Sequence, residues 1–202
     1  MKFKILKSEI EVSFTLLCVA ALCVITGVFS SFLWCVLAII IHESGHLVTM
    51  AMLGYFPERI KITLFEISIS DATRQERTDR ENFFIIIFGP TVNFICFILF
   101  YLLYLMGNDF FLPFAVANLA VGLFNSLPVL SLDGGQILYI FLCKKKPPEK
   151  SEKIVNMITF IILFPMSAAG FLLLFNSHYN FSLLFVSAYI ILSLISRQEK
   201  FY

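Results

Sequence analysis

Between Val12 and Ile41 the chain runs for thirty residues without a charged side chain. A spanning helix needs about 20 predominantly apolar residues, so the run is too long for one helix and too apolar for a soluble surface. It is also about twice the length of a signal-peptide core and lacks a small-x-small cleavage pattern, so it is read as retained membrane sequence. The remaining composition agrees, with 59% hydrophobic residues, 14% charged residues and a mean hydropathy of +0.88. Gly27, Ser30 and Ser31 interrupt the run, which predicts helices at about 11–29 and 31–55.

Four further apolar stretches follow, at about 83–106, 110–142, 154–175 and 181–196. The second of these is too long for one straight helix, and Pro113, Gly122, Pro128 and Gly134-Gly135 supply places to break it, so irregular backbone is expected between 125 and 135. Between the second and third spans, residues 59–70 alternate apolar and polar side chains, with the apolar face switching at Leu64-Phe65. That period predicts strand with a bulge or hairpin, and the charged stretch Asp71 to Arg80 reads as a surface loop. The expected fold is therefore an all-α polytopic membrane protein of about six transmembrane helices with a short membrane-associated β segment at about 58–70. A single transmembrane domain over 1–202 is expected, with a core at 30–143 and accessory spans at 11–29, 154–175 and 181–196.

A formal charge of +1 gives no basic excess for nucleic acid, which is excluded as a partner. Cys18, Cys23, Cys35, Cys96 and Cys143 are odd in number, scattered through apolar runs and never in CxxC spacing. They read as small apolar packing residues.

Ionisable groups inside a span are costly, by roughly 2.5–3.5 kcal/mol each, and mark function by default. Away from the span ends there are four: His42, Glu43, His46 and Asp133. No Lys or Arg lies in a span to neutralise either acid, whereas a bound cation would. His42-Glu43-Ser44-Gly45-His46 fits HExxH, which puts two imidazoles on one helical face where both can reach a single Zn²⁺, with Glu43 about 100° round as general base. A catalytic zinc site usually takes three protein ligands and keeps one open position. Asp133 is the other deep acid, so one zinc ion per chain on His42, His46 and Asp133 is expected. Cys35 and Cys143 are donors by type but lie off level, and His178 falls in a far-side loop. A metal transporter or sensor using the same His and Asp site is the competing reading.

HESGH in a span, Gly89-Pro90 with Asn93, and Asn125-Ser126-Leu127-Pro128 leading to Leu132-Asp133-Gly134-Gly135 occur in one chain in that order. Together they resemble the site-2 protease family of intramembrane zinc metalloproteases, whose motifs read HExxH, GP-x-x-N and N-x-x-P-x-x-x-L-D-G. The resemblance covers about residues 30–143, and the six-span layout is most similar to the sporulation-type branch, although neither a CBS domain nor an inserted PDZ domain is legible. It implies an intramembrane zinc endopeptidase with His42, His46 and Asp133 as ligands and Glu43 as base. Its substrate would be a membrane-spanning protein such as a tethered transcription or sigma factor precursor, under a membrane regulator. Asn125 is expected to bind substrate backbone or the oxyanion, and Asn93 to make a helix–helix hydrogen bond.

In the six-span layout all fifteen Lys and Arg fall on one side, in residues 2–7, 59–80, 144–153 and 197–200. Cytoplasmic loops collect such residues, which implies cytosolic termini and an active site nearer the cytosolic face, while the resemblance implies a multi-pass protein of the bacterial cytoplasmic membrane. In a cysteine-free background, Asp109→Cys or Asn176→Cys should then react with an impermeant thiol reagent on intact cells and Thr78→Cys should not. The reverse pattern would defeat this orientation.

Overall fold

The computed structural model describes residues 2–5, 8–12, 21, 23–25, 27, 29–56, 59–62, 67–70 and 77–176. Most of the span expected at 11–29, all of that at 181–196 and His178 lie outside them. The chain divides into two compact units, Met1–Phe124 and Asn125–Tyr202.

The first unit holds a four-stranded sheet and the helices that carry HESGH and Gly89-Pro90. Strands β1 (Lys2–Ile5), β2 (Ser8–Val12), β3 (Arg59–Ile62) and β4 (Ile67–Ser70) lie in the order β1-β2-β3-β4. The outer pairs are antiparallel, whereas β2 and β3 run parallel, with Ile10 opposite Ile60. The alternating segment at 59–70 thus contributes two strands of a sheet whose other half is the N-terminus. An all-α description with one short β segment is too narrow, because Lys2 to Val12 alternates as regularly as residues 59–70 and supplies two more strands.

Helix α1 (Phe29–Met52) begins and ends a little before the expected 31–55. Gly54, at φ +84, turns the chain out of it, and the Tyr55 amide bonds back to the Met50 carbonyl at 2.9 Å. This is a left-handed C-terminal stop that glycine tolerates without strain. Helix α2 (Asp79–Leu105) starts four residues before the expected 83, inside what reads as a charged loop. The cause is a capping box: Thr78 Oγ1 accepts from the Glu81 amide and Glu81 Oε2 accepts from the Thr78 amide at 2.8 Å. Reciprocal capping satisfies two orphan amides and lets the polar residues 79–82 join the helix. Tyr55 ties the two helix ends together by donating to Glu81 Oε1.

Both helices are long and apolar enough to cross a membrane. Val48, Phe84, Ile95, Ile98 and Leu102 are all exposed on them, a display that suits lipid rather than water. The inward faces meet closely. A Cβ on Gly45 would lie 2.8 Å from the Phe88 carbonyl oxygen, so only glycine permits this crossing. At the other end Trp34 packs against Phe110 and Phe114, with ring centroids 5.2 and 5.3 Å apart, and Phe100 packs on Phe114 at 4.6 Å. These rings join α1 and α2 to a short 3₁₀ turn (Asp109–Phe111) and to α3 (Leu112–Asn125).

The long fourth stretch is broken where the prolines and glycines predict. Helix α3 stops at Asn125, and α4 (Asp133–Cys143) begins after a seven-residue turn region at 126–132. In the second unit α4 is followed by α5 (Pro148–Asn176), which starts six residues before the expected 154 because Pro148 sits at its first position, where no amide is needed. Along α5, Ser151, Val155 and Thr159 form a fully buried stripe. Thr159 Oγ1 donates to the Val155 carbonyl and accepts from the Leu130 amide, which anchors the turn region that leads into Asp133.

Gly45→Ala should cost about 1–3 kcal/mol through overpacking against a backbone that cannot withdraw. The thermal unfolding midpoint of the purified protein in detergent checks this, and an unchanged midpoint would mean that α1 and α2 do not approach so closely.

Candidate metal centre

His42 and His46 are one turn apart on α1 and both are buried. Their Nε2 atoms lie 3.2 Å from each other, and each Nδ1 faces an oxygen at 2.8 Å: Asn93 Oδ1 for His42 and the Ile85 carbonyl for His46. A carbonyl oxygen can only accept, so His46 Nδ1 carries the proton and donates it. Asn93 gives its amide hydrogens to the Ala38 carbonyl and to Asn118 Oδ1, both at 3.0 Å. Its oxygen therefore faces His42, and His42 Nδ1 is the donor there as well. In the neutral rings both Nε2 atoms are then lone pairs, directed at a shared point between the helices.

Two lone pairs at that separation repel unless a cation sits with them. The residues therefore fit a metal, with Nε2 as the ligand atom of both imidazoles and the other nitrogen held by a hydrogen bond, the usual arrangement for metal-ligating histidine. Space for this comes from α2. A Cβ built on Gly89 would fall on the His46 ring atoms Cε1 and Nε2 and lie 3.0 Å from His42 Cε1. Pro90 adds a second effect, since it has no amide to close the helical turn onto the Ile86 carbonyl. Gly89 and Asn93, one turn apart on α2, thus face His46 and His42 on α1.

Glu43 follows His42 on α1 and is half-buried. His46 is six residues from the end of α1, about 9 Å along the axis at 1.5 Å per residue.

The second unit holds Asp133, buried, as the first residue of α4 rather than a residue within a continuous span. Partial positive charge at a helix N-terminus favours an anion there. The two residues after it explain the glycine pair. A Cβ on Gly134 would collide with the Ser126 carbonyl, and one on Gly135 with the Val129 carbonyl, so the turn region can fold directly against the first turn of α4. Asn125 is half-buried and closes α3. Among the described residues Asp133 is the sole buried acid, and a carboxylate is a donor of the kind zinc takes. Cys35 is exposed on α1 and Cys143 ends α4, and neither they nor Cys23 and Cys96 form a disulfide among the described residues.

Asn93 makes the helix–helix hydrogen bond expected of it, to Ala38, and in addition contacts His42. Asn118 escapes a search confined to ionisable groups. The signal that would have found it is an amide side chain in the uncharged run 110–132, where every polar group must find a protein partner.

The sequence pattern of peptidase family M50 matches residues 106–166, a segment that contains Asp133 and the turn region before it. Stage IV sporulation protein FB of Bacillus subtilis is 28% identical over 140 residues, which is 67% of this chain and 48% of that protein. A zinc metalloprotease of Methanocaldococcus jannaschii is 30% identical over 172 residues, 77% of this chain and 49% of that protein. The chain spans about half the length of these curated relatives. Among solved structures, the site-2 protease from Methanocaldococcus jannaschii superposes with a TM-score of 0.72 at 25% identity, over 97% of this chain and 94% of that one. A shared fold along nearly the whole chain, a family match across Asp133 and a histidine pair suited to zinc agree in making the chain similar to the site-2 proteases of peptidase family M50.

Proposed function

We propose that the protein is an intramembrane zinc endopeptidase that cuts a peptide bond in or near the transmembrane segment of a membrane protein. The observation that carries this reading is the pair of buried imidazoles whose Nε2 atoms lie 3.2 Å apart while each Nδ1 faces an oxygen at 2.8 Å. In it, His42, His46 and Asp133 hold one zinc ion per chain and Glu43 is the general base. Support for Asp133 comes from its burial in an apolar chain, its place at a helix N-terminus and its position inside the segment that matches the family. A single transmembrane protease domain would comprise both units.

When bound, zinc supplies a Lewis acid for the scissile carbonyl and lowers the pKa of water in the site. Glu43, next to His42 on the same helix, takes a proton from the attacking water and returns it to the leaving amine. Asn125 binds substrate backbone or the developing oxyanion. A helical substrate has its carbonyls tied up in hydrogen bonds and must be extended to react. Strands β1 and β4 end the sheet, and an edge of this kind accepts an extended peptide through main-chain hydrogen bonds. The lysine and arginine distribution supports six spans, cytosolic termini and a catalytic centre nearer the cytosolic face, and the similarity to a Bacillus subtilis protein supports the bacterial cytoplasmic membrane as the location. A membrane-tethered transcription or sigma factor precursor is the substrate class this layout suits, with a membrane protein as regulator.

Purified protein should contain about one zinc per chain, a count set by one three-ligand site. Elemental analysis showing no zinc, or undiminished zinc in a His46→Ala, Asp133→Ala double variant, would remove this assignment. Asp133→Asn should weaken zinc retention, because a neutral amide is a poorer ligand and one compensating charge is lost.

Glu43→Gln separates catalysis from metal transit. Zinc should stay bound while cleavage of a single-span substrate in proteoliposomes falls by at least about 10²–10⁴. Normal cleavage by this variant would exclude the protease mechanism even with zinc present.

A further inference from the structure

The direction of every hydrogen bond around His42 is set by backbone groups that cannot reverse. The Phe114 carbonyl accepts from Asn118 Nδ2 at 2.9 Å, which turns Asn118 Oδ1 outward. That oxygen and the Ala38 carbonyl both accept from Asn93 Nδ2 at 3.0 Å, which turns Asn93 Oδ1 toward His42 Nδ1 at 2.8 Å. Asn93 and Asn118 are both fully buried, with 0% exposure, so no water competes for these bonds. If the Asn93 amide were rotated by 180°, its nitrogen would face His42 Nδ1. That nitrogen would have to accept, the proton would move to Nε2, and the lone pair aimed at the metal position would be gone.

The geometry points to Asn93 and Asn118 as positioning residues that hold the His42 proton on Nδ1 and thereby keep the Nε2 lone pair available to the metal. This rests on the zinc-protease reading of the same centre. It goes beyond it in assigning a role to a pair of amides that touch neither substrate nor metal. Asn93 joins three elements: it hangs from α2, ties to the α1 backbone and is fixed by α3. The tautomer of one ligand on α1 is thus written by the packing of three helices.

A purely structural role for Asn93 would reside in its Nδ2 bonds to Ala38 and Asn118. A positioning role resides in the Oδ1 acceptor. Asn93→Leu removes both, whereas Asn93→Asp removes the donor and keeps an acceptor facing His42. In the purified full chain in detergent, competition against a chromophoric chelator should show zinc affinity lowered by about 10–100-fold in Asn93→Leu, the usual size for loss of such a partner, with most of that loss recovered in Asn93→Asp. Asn118→Leu, which loosens the amide without removing it, should give a smaller loss than Asn93→Leu. Equal losses in Asn93→Leu and Asn93→Asp, or wild-type affinity in Asn93→Leu, would overturn the proposal.

A second measurement needs no variant of the asparagines to fold. In ¹⁵N-histidine-labelled wild-type protein stripped of zinc, the His42 signals, identified by their loss in His42→Gln, should report a proton on Nδ1. A proton on Nε2 would overturn the relay. If the wild-type protein binds no zinc, the zinc reading fails, and the tautomer measured in the stripped protein still decides the relay on its own.

Discussion

A backbone carbonyl in a helix has two lone pairs and uses one for the helix, and in an apolar chain the second becomes the fixed acceptor on which buried side chains orient. Around the histidine pair this happens three times, at Ala38, Ile85 and Phe114. Unlike an amide or a hydroxyl, a carbonyl cannot turn into a donor. Each such bond therefore transmits a direction as well as an attraction, and His46 receives its tautomer from Ile85 in one step while His42 receives its own through two asparagines. The same device recurs in the second unit, where Thr159 donates to Val155 and so presents its oxygen to the Leu130 amide.

These directed bonds require helices close enough for short side chains to cross between them. Gly45 on α1 and Gly89 on α2 provide that approach, the first by letting the Phe88 carbonyl come near and the second by leaving room for the His46 ring. Packing and chemistry are consequently inseparable at this crossing. A methyl group on Gly89 would occupy the site of an imidazole, so the residue is constrained twice over, by the helix pair it packs and by the ring it accommodates.

How much of this was legible in the sequence depends on whether the controlling interaction is local. HESGH could be read because its geometry is set by one helix, and the break before Asp133 because proline and glycine act on their own backbone. The start of α2 at Asp79 was hidden by Arg80 and Glu81, charges that suggest a loop until the Thr78 to Glu81 capping box is noticed. The N-terminal strands were obscured by the long apolar run that follows them, and their pairing with β3 spans about fifty residues of chain. Asn118 was missed for a different reason. An amide costs less to bury than a charge, so it raises no alarm by itself, and its importance appears only when Asn93, 25 residues away, is found bonded to it.

The break in the fourth stretch has an electrostatic consequence that a continuous helix would not have. Within a straight span Asp133 would meet only apolar side chains and amides already used in the helix. By opening α4 it instead sits beside first-turn amides that have no carbonyl partner in the helix, whose partial positive charge offsets part of a carboxylate's cost. The price of the break, freed backbone at 126–132, is met by the glycines that let that backbone fold against α4 and by Thr159, which takes the Leu130 amide. In the proposed zinc centre, two neutral imidazoles and one carboxylate would leave a divalent cation with net positive charge. An acid of this kind can serve a cation without cancelling its power to polarise a carbonyl.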